Sequence, residues 1–243
     1  MTIAESVADP RLVAAALRWW EDMGVDLLVE DEPQSWLGRA AVAEASAPAT
    51  ARMVEKPAPA ALPATLDALV AWISSDADIP EAGPAARRVA PFGTPGARIA
   101  IVTDIPENGD AEAGALLSGE VGALFDRMLA AIGLDRTSVY CFPLCPGRPP
   151  TGRVSAEALA RLADIAKHHL ALAKPERVWL LGQATSRALL GMDASVLDKK
   201  GQNINHAHGT VPCIASLPPR MLLQSPQRKA AVWADMQALI GGM

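Results

Sequence analysis

Arg98-Ile99-Ala100-Ile101-Val102-Thr103 is a short β-branched run, with Gly96 just before it and Asp104 and Pro106 just after. A run of this length between breakers predicts a buried strand. Leu117, Val121, Leu124, Met128 and Ile132 follow at helical spacing and stop at Gly133, so the strand leads into an amphipathic helix. The alternation then repeats. Ser138–Phe142 reads as a second strand, and Ser155 as the cap of a helix that turns Leu159, Leu162 and Ala166 inward and ends at Pro175. Arg177–Leu181 is a third strand, Gly182–Leu190 a turn and short helix, and Val211–Ser216 a fourth strand, while Ser225, Pro226 and Gly241 bracket a last helix. Strands alternating with helices call for an α/β layer structure with a largely parallel sheet. Sites in such sheets lie beyond the carboxyl ends of the strands, which selects four loops: Asp104–Gly114, Pro143–Arg153, Gly182–Ser186 and Leu217–Ser225.

Upstream of the first strand the texture is different. Asp9, Pro10 and Gly24 frame a helix over Pro10–Met23 with Val13, Leu17 and Trp20 along one stripe. Pro33 to Pro63 is rich in Ala and Pro and reads as a linker, and Leu66, Leu69, Val70 and Ile73 mark a short amphipathic helix. The expected organisation is an acidic arm over residues 1–33, a linker over 34–63 and one α/β domain over 64–243.

Composition narrows the function classes. The chain has 243 residues, half of them apolar, and a net charge of −5, which excludes disorder throughout. No apolar stretch approaches the roughly 18 residues of a membrane span, and an N-terminus carrying Glu5 and Asp9 lacks a basic leader, so a cytoplasmic protein with no membrane role is expected. Three cysteines, Cys141, Cys145 and Cys213, are too few for a disulfide framework. At 4% aromatic content, a platform that stacks several bases is not expected. Charge is uneven: residues 1–35 carry −6 while 97–243 carry +2, so the total does not exclude phosphate binding.

The order of elements, with Arg148-Pro149-Pro150 and Arg153 after the second strand, Leu180-Leu181-Gly182 before a short helix and Leu222-Leu223 before the last one, resembles the uracil-DNA glycosylases of family four. The stretch from Phe125 through Met128–Arg136 to Tyr140 is similar to the run that bacterial members carry between their first motif and second strand. The arm adds Met23-Gly24-Val25-Asp26 and Glu30-Asp31-Glu32-Pro33 ahead of an Ala/Pro linker. The resemblance implies a three-layer α/β/α sandwich around a central, largely parallel four-stranded sheet. It also implies an enzyme that extrudes uracil from DNA and cleaves its N-glycosidic bond. Extrusion needs phosphate contacts to hold the strand. Cleavage needs a pocket that reads the base edge, stacks on its face and stabilises developing charge.

In the family these tasks fall to a Gly-Glu-Ala-Pro-Gly loop, a Pro-Phe pair, an Asn after the second strand and a His-Pro motif before the last helix, beside a four-cysteine iron–sulfur cluster. Carried onto this chain, the first loop becomes Thr103-Asp104-Ile105-Pro106-Glu107, with a carboxylate one methylene shorter. The stacking ring falls on Leu117, the uracil-pairing Asn on Pro143 and the His on Pro218. The second pair of cluster cysteines falls near Gly147 and Ala163, so no cluster and no other cofactor or metal is expected. His206-Ala207-His208 with Cys213 has metal-ligand residue types at a spacing that matches no familiar zinc pattern.

What survives is Asp104, able to orient a water or to serve only as a cap, and Arg148, Arg153 and Arg220, able to hold phosphates or merely to be solvated. Leu181-Gly182-Gln183-Ala184-Thr185 offers helix N-terminal amides as a phosphate seat. The expected protein has lost uracil excision and binds DNA, or a repair or replication protein through its arm. The alternative is an active DNA glycosylase of altered base choice that uses Asp104.

Overall fold

The computed structural model describes residues 61–75, 77–191 and 202–241. The expected arm and most of the expected linker lie outside the described residues.

Among the described residues six strands form one sheet: β1 (Phe92–Gly93), β2 (Ile99–Thr103), β3 (Val139–Pro143), β4 (Arg177–Leu181), β5 (Gln202–His206) and β6 (Gly209–Ser216), in the order β1-β3-β2-β4-β6-β5. The expected four strands are the parallel centre, β3-β2-β4-β6. Four strands was an undercount. The sheet gains an antiparallel edge on each side, β1 against β3 and β5 against β6. Both additions lack the apolar run that betrays a central strand: β1 has two residues, and in β5 only Ile204 is buried. His206-Ala207-His208 turns out to be the hairpin that joins β5 to β6, with His206 opposite Gly209.

The described residues form seven helices, α1 (Leu66–Ser74), α2 (Asp110–Ala113), α3 (Gly119–Ala131), α4 (Ala156–Ala173), α5 (Gln183–Leu190), α6 (Pro219–Gln224) and α7 (Lys229–Ile240), and all but the single turn α2 pack on the two faces of the sheet. Alternation along the strands sorts their side chains into two cores. Ala100, Val102, Tyr140, Phe142, Val178 and Leu180 meet Leu69 and Ile73 of α1, Leu162 and Leu170 of α4 and Leu189 of α5. On the opposite face Ile99, Ile101, Cys141, Trp179 and Leu181 meet Phe125 and Leu129 of α3, Leu222 of α6 and Val232 and Met236 of α7. The result is the three-layer α/β/α arrangement. Ser155 caps α4 as its sequence predicts, its hydroxyl accepting from Ala158 N–H at 3.2 Å. Within the stretch expected to be linker, Leu62 packs on the first core, and His168 Nε2 lies 2.7 Å from the Pro63 carbonyl.

The first core also holds a polar pair. His169 Nε2 lies 2.8 Å from the Tyr140 hydroxyl, and the imidazole stacks on Phe142 at 4.0 Å. Burial pushes the His169 pKa down to about 3, so the ring is neutral and acts as a core aromatic with one polar handle.

Register places the site. Pro143, Thr103, Leu181 and Ser216 are neighbours in one row across the carboxyl edge of the sheet. The row ends in hydrogen bonds from Leu144 N–H to Thr103 O and from Gly182 N–H to Ser216 O. The four loops chosen from the sequence leave the sheet immediately beyond that row.

Candidate functional site

Asp104 is the first residue past β2 and is buried. Its Oδ1 accepts from the backbone N–H of Thr185 at 2.8 Å, so it caps α5 from a neighbouring strand. Its Oδ2 faces Arg220 Nη2 at 3.4 Å. Underneath is Gly182 with φ +131°, where an added Cβ would fall 2.1–2.3 Å from the carboxylate atoms. The helix N-terminus that the sequence offered as a phosphate seat is thus taken by the chain's own carboxylate. Burial raises the Asp104 pKa above 3.8, against the opposing pull of the Thr185 amide and the Arg220 charge.

The loop after Asp104 is held by a second acid. Asp110 has no exposed surface, and its carboxylate accepts from Glu107 N–H and Leu117 N–H through Oδ2 and from Ser118 N–H and Oγ–H through Oδ1. That clamp forces Leu117 into the left-handed region at φ +52° and turns its side chain into the second core. Arg136 donates to the Leu116 and Leu117 carbonyls at 2.9 and 2.7 Å from the other side. Gly122 passes so close that a Cβ there would lie 1.9 Å from the Leu117 carbonyl oxygen. Leu117, where the resemblance leads us to expect the stacking position, is therefore an aliphatic core residue.

The remaining loops close around this pair. Pro143 is buried at the end of β3 and Pro218 is buried as the cap residue of α6. Neither offers a side-chain hydrogen bond. Arg220, next to Pro219 at the start of α6, divides its guanidinium between Glu107 Oε1 at 2.9 Å and Asp104 Oδ2 at 3.4 Å. Arg148 is exposed, but its Nη1 donates to the carbonyl of buried Pro106 at 2.8 Å. Arg148 and Arg220 are thus both attached to the 104–107 loop. Arg153 is exposed farther along the β3 loop, where the Thr151 hydroxyl donates to its carbonyl.

Glu107, Asp110, Gly182 and Thr185 are the site residues that sequence reasoning gave no role of this kind. Gly182 between a strand and a helix was the available signal: an acid at the neighbouring strand end, Asp104, faces the same amides.

The donors for an iron–sulfur cluster do not fit. The chain has three cysteines, and the sheet divides them, Cys141 in the second core and Cys145 and Cys213 in the first. Burial raises all three thiols, Cys145 to about 11 and Cys213 to about 12, the opposite of what a thiolate ligand needs. Among the described residues no three His, Cys, Asp or Glu side chains are grouped to hold a metal ion. Among them, too, no helix is long and apolar enough to cross a membrane.

A layered α/β/α domain whose loops converge beyond the carboxyl row of a mostly parallel sheet is an architecture that places a ligand site at that edge. The family model described as the Uracil DNA glycosylase superfamily matches residues 90–237, which takes in the sheet, the four loops and most of α7. The chain belongs to that superfamily.

Two substitutions separate the cap from the charge. Asp104→Ala leaves the Thr185 N–H buried without a partner and should cost about 1–3 kcal/mol. Asp104→Asn keeps an acceptor, removes a desolvated charge and leaves Arg220 its bond to Glu107, so it should stay within about 1 kcal/mol of wild type. The pH dependence follows from the raised pKa. Folding favours protonated Asp104, so its contribution is complete below 3.8 and is lost as pH rises through the higher folded value. Urea melts across that window should show this slope in wild type and a flatter one in Asp104→Asn. An Asn variant as damaged as the Ala variant would show that the charge, not the cap, matters.

Proposed function

We propose that this member of the superfamily has lost uracil excision and acts as a DNA-binding factor in repair or replication. One observation carries the loss: both oxygens of Asp104, the only acid carried over from the family's first loop, are engaged by Thr185 N–H and Arg220. A water attacking the sugar would have to displace one of them. The positions that should read and stack on the base support the same reading, since Pro143 and Pro218 have nothing to donate and Leu117 is turned into the core. An active glycosylase using Asp104 would require the α5 cap to open.

Binding rests on the basic loop after β3. Arg148 and Arg153 are exposed at the edge where the family holds its strand, within a segment of net +2. Arg220 contributes less, because two carboxylates share its charge. Fluorescence anisotropy with a labelled oligonucleotide, single-stranded and duplex, tests this. Affinity should fall steeply with salt, and Arg148→Ala/Arg153→Ala should weaken binding to every sequence and lower the salt slope by about two. Binding that is absent at low salt, or that ignores both arginines, would overturn the DNA assignment.

A further inference from the structure

Next to the fourth loop, α3 and α7 border an apolar groove of about 410 Å³. Leu124 and Met128 of α3 form one wall, Trp233 of α7 the other, and Leu222 of α6 lies between them. Two large apolar side chains are exposed among the described residues, Trp233 at 45% and Leu223 at 40%. Trp233 lines the groove, so one of these two bulky groups is exposed within an apolar trough, as on a surface that meets a partner.

Charge around the groove has one sign. Its two charged lining residues are cations, Arg127 and Lys229, both exposed, and Arg228 precedes Lys229. Of the acids on α3, Glu120 is outside the lining and Asp126 is paired with Arg136 at 2.6 Å. An apolar trough bordered by two helices and edged by cations suits a third helix with an apolar stripe and acidic flanks, packed ridges into grooves.

We infer that the α3–α7 groove docks an acidic amphipathic helix of a partner protein, with its apolar stripe against Trp233 and Leu222 and its carboxylates facing Arg127 and Lys229. The groove adjoins the proposed DNA edge through α6, but its cations are not the arginines of that edge and the inference does not depend on that assignment.

The probe is a labelled synthetic helix of about 18 residues, some five turns, with leucines at i, i+4, i+7 and i+11 and glutamates flanking them. A second peptide has lysine at every glutamate. Anisotropy with the full chain should show saturable binding of the acidic peptide and roughly tenfold weaker binding of the basic one at low salt. Trp233→Glu should weaken the acidic peptide about thirtyfold or more, as removal of a central aromatic anchor does. Arg127→Glu/Lys229→Glu changes only exposed positions, so it preserves the fold and should reverse the preference between peptides. Equal affinity for the two peptides, or unchanged binding by either variant, would overturn the inference. So would sedimentation showing that the chain self-associates through Trp233, because a second copy would then be the occupant.

Discussion

Replacing Asp110 with alanine is expected to destabilise the domain by about 3–5 kcal/mol, the largest loss among side chains that pack no core. The carboxylate has no exposed surface and accepts four hydrogen bonds, three from backbone N–H groups of residues 107, 117 and 118 and one from the Ser118 hydroxyl. Alanine leaves these donors facing an empty apolar space, and each buried unsatisfied donor costs about 1–3 kcal/mol before relaxation. Asparagine should rescue little, because its amide sets a second donor against the donors already there. Urea unfolding measures the effect, and a loss below about 1 kcal/mol for the alanine variant would show that the loop is held by other means. The consequence reaches the site. Asp110 sets the strained backbone at Leu117, and that backbone points the side chain into the core instead of towards a base.

Gly182→Ala should be nearly as damaging, at about 3 kcal/mol or more. Two costs combine. The backbone at φ +131° is one that L side chains rarely adopt, and the new methyl would sit 2.1–2.3 Å from the Asp104 carboxylate atoms. That carboxylate is short and held by Thr185 and Arg220, so it has little room to move. A double-mutant cycle separates the terms: in an Asp104→Ala background the collision is gone, and Gly182→Ala should cost only the backbone strain of about 1–3 kcal/mol. Additive losses would mean that Asp104 does not rest on Gly182 in solution.

Central strands were legible because they are buried on both faces. Ile99–Thr103, Val139–Pro143 and Arg177–Leu181 are almost wholly enclosed, and such strands must be apolar throughout. The edges were not legible for the same reason. Phe92–Gly93 is too short to show a period, and Gln202–His206 needs only Ile204 to be apolar. The single turn α2 was also missed. It depends on Asp110 meeting residues seven and eight positions ahead, which local pattern does not encode. For the candidate site, the strand-end rule selected loops that do leave the sheet at one edge, and Asp104 could be singled out as an acid at a strand end. Its partners could not, because Thr185 and Arg220 lie 81 and 116 positions away. Pairing over such separations follows from strand order, and strand order is what a single sequence conceals.

The most direct test of lost excision is a single-turnover assay on a single-stranded oligonucleotide with one uracil, using the full chain in excess and alkaline strand scission as readout. Loss of the base-reading groups predicts an intact strand, indistinguishable from the protein-free control, for wild type and Asp104→Asn alike. Free uracil and a cleaved strand with wild type, abolished by Asp104→Asn, would contradict it and make Asp104 a catalytic residue.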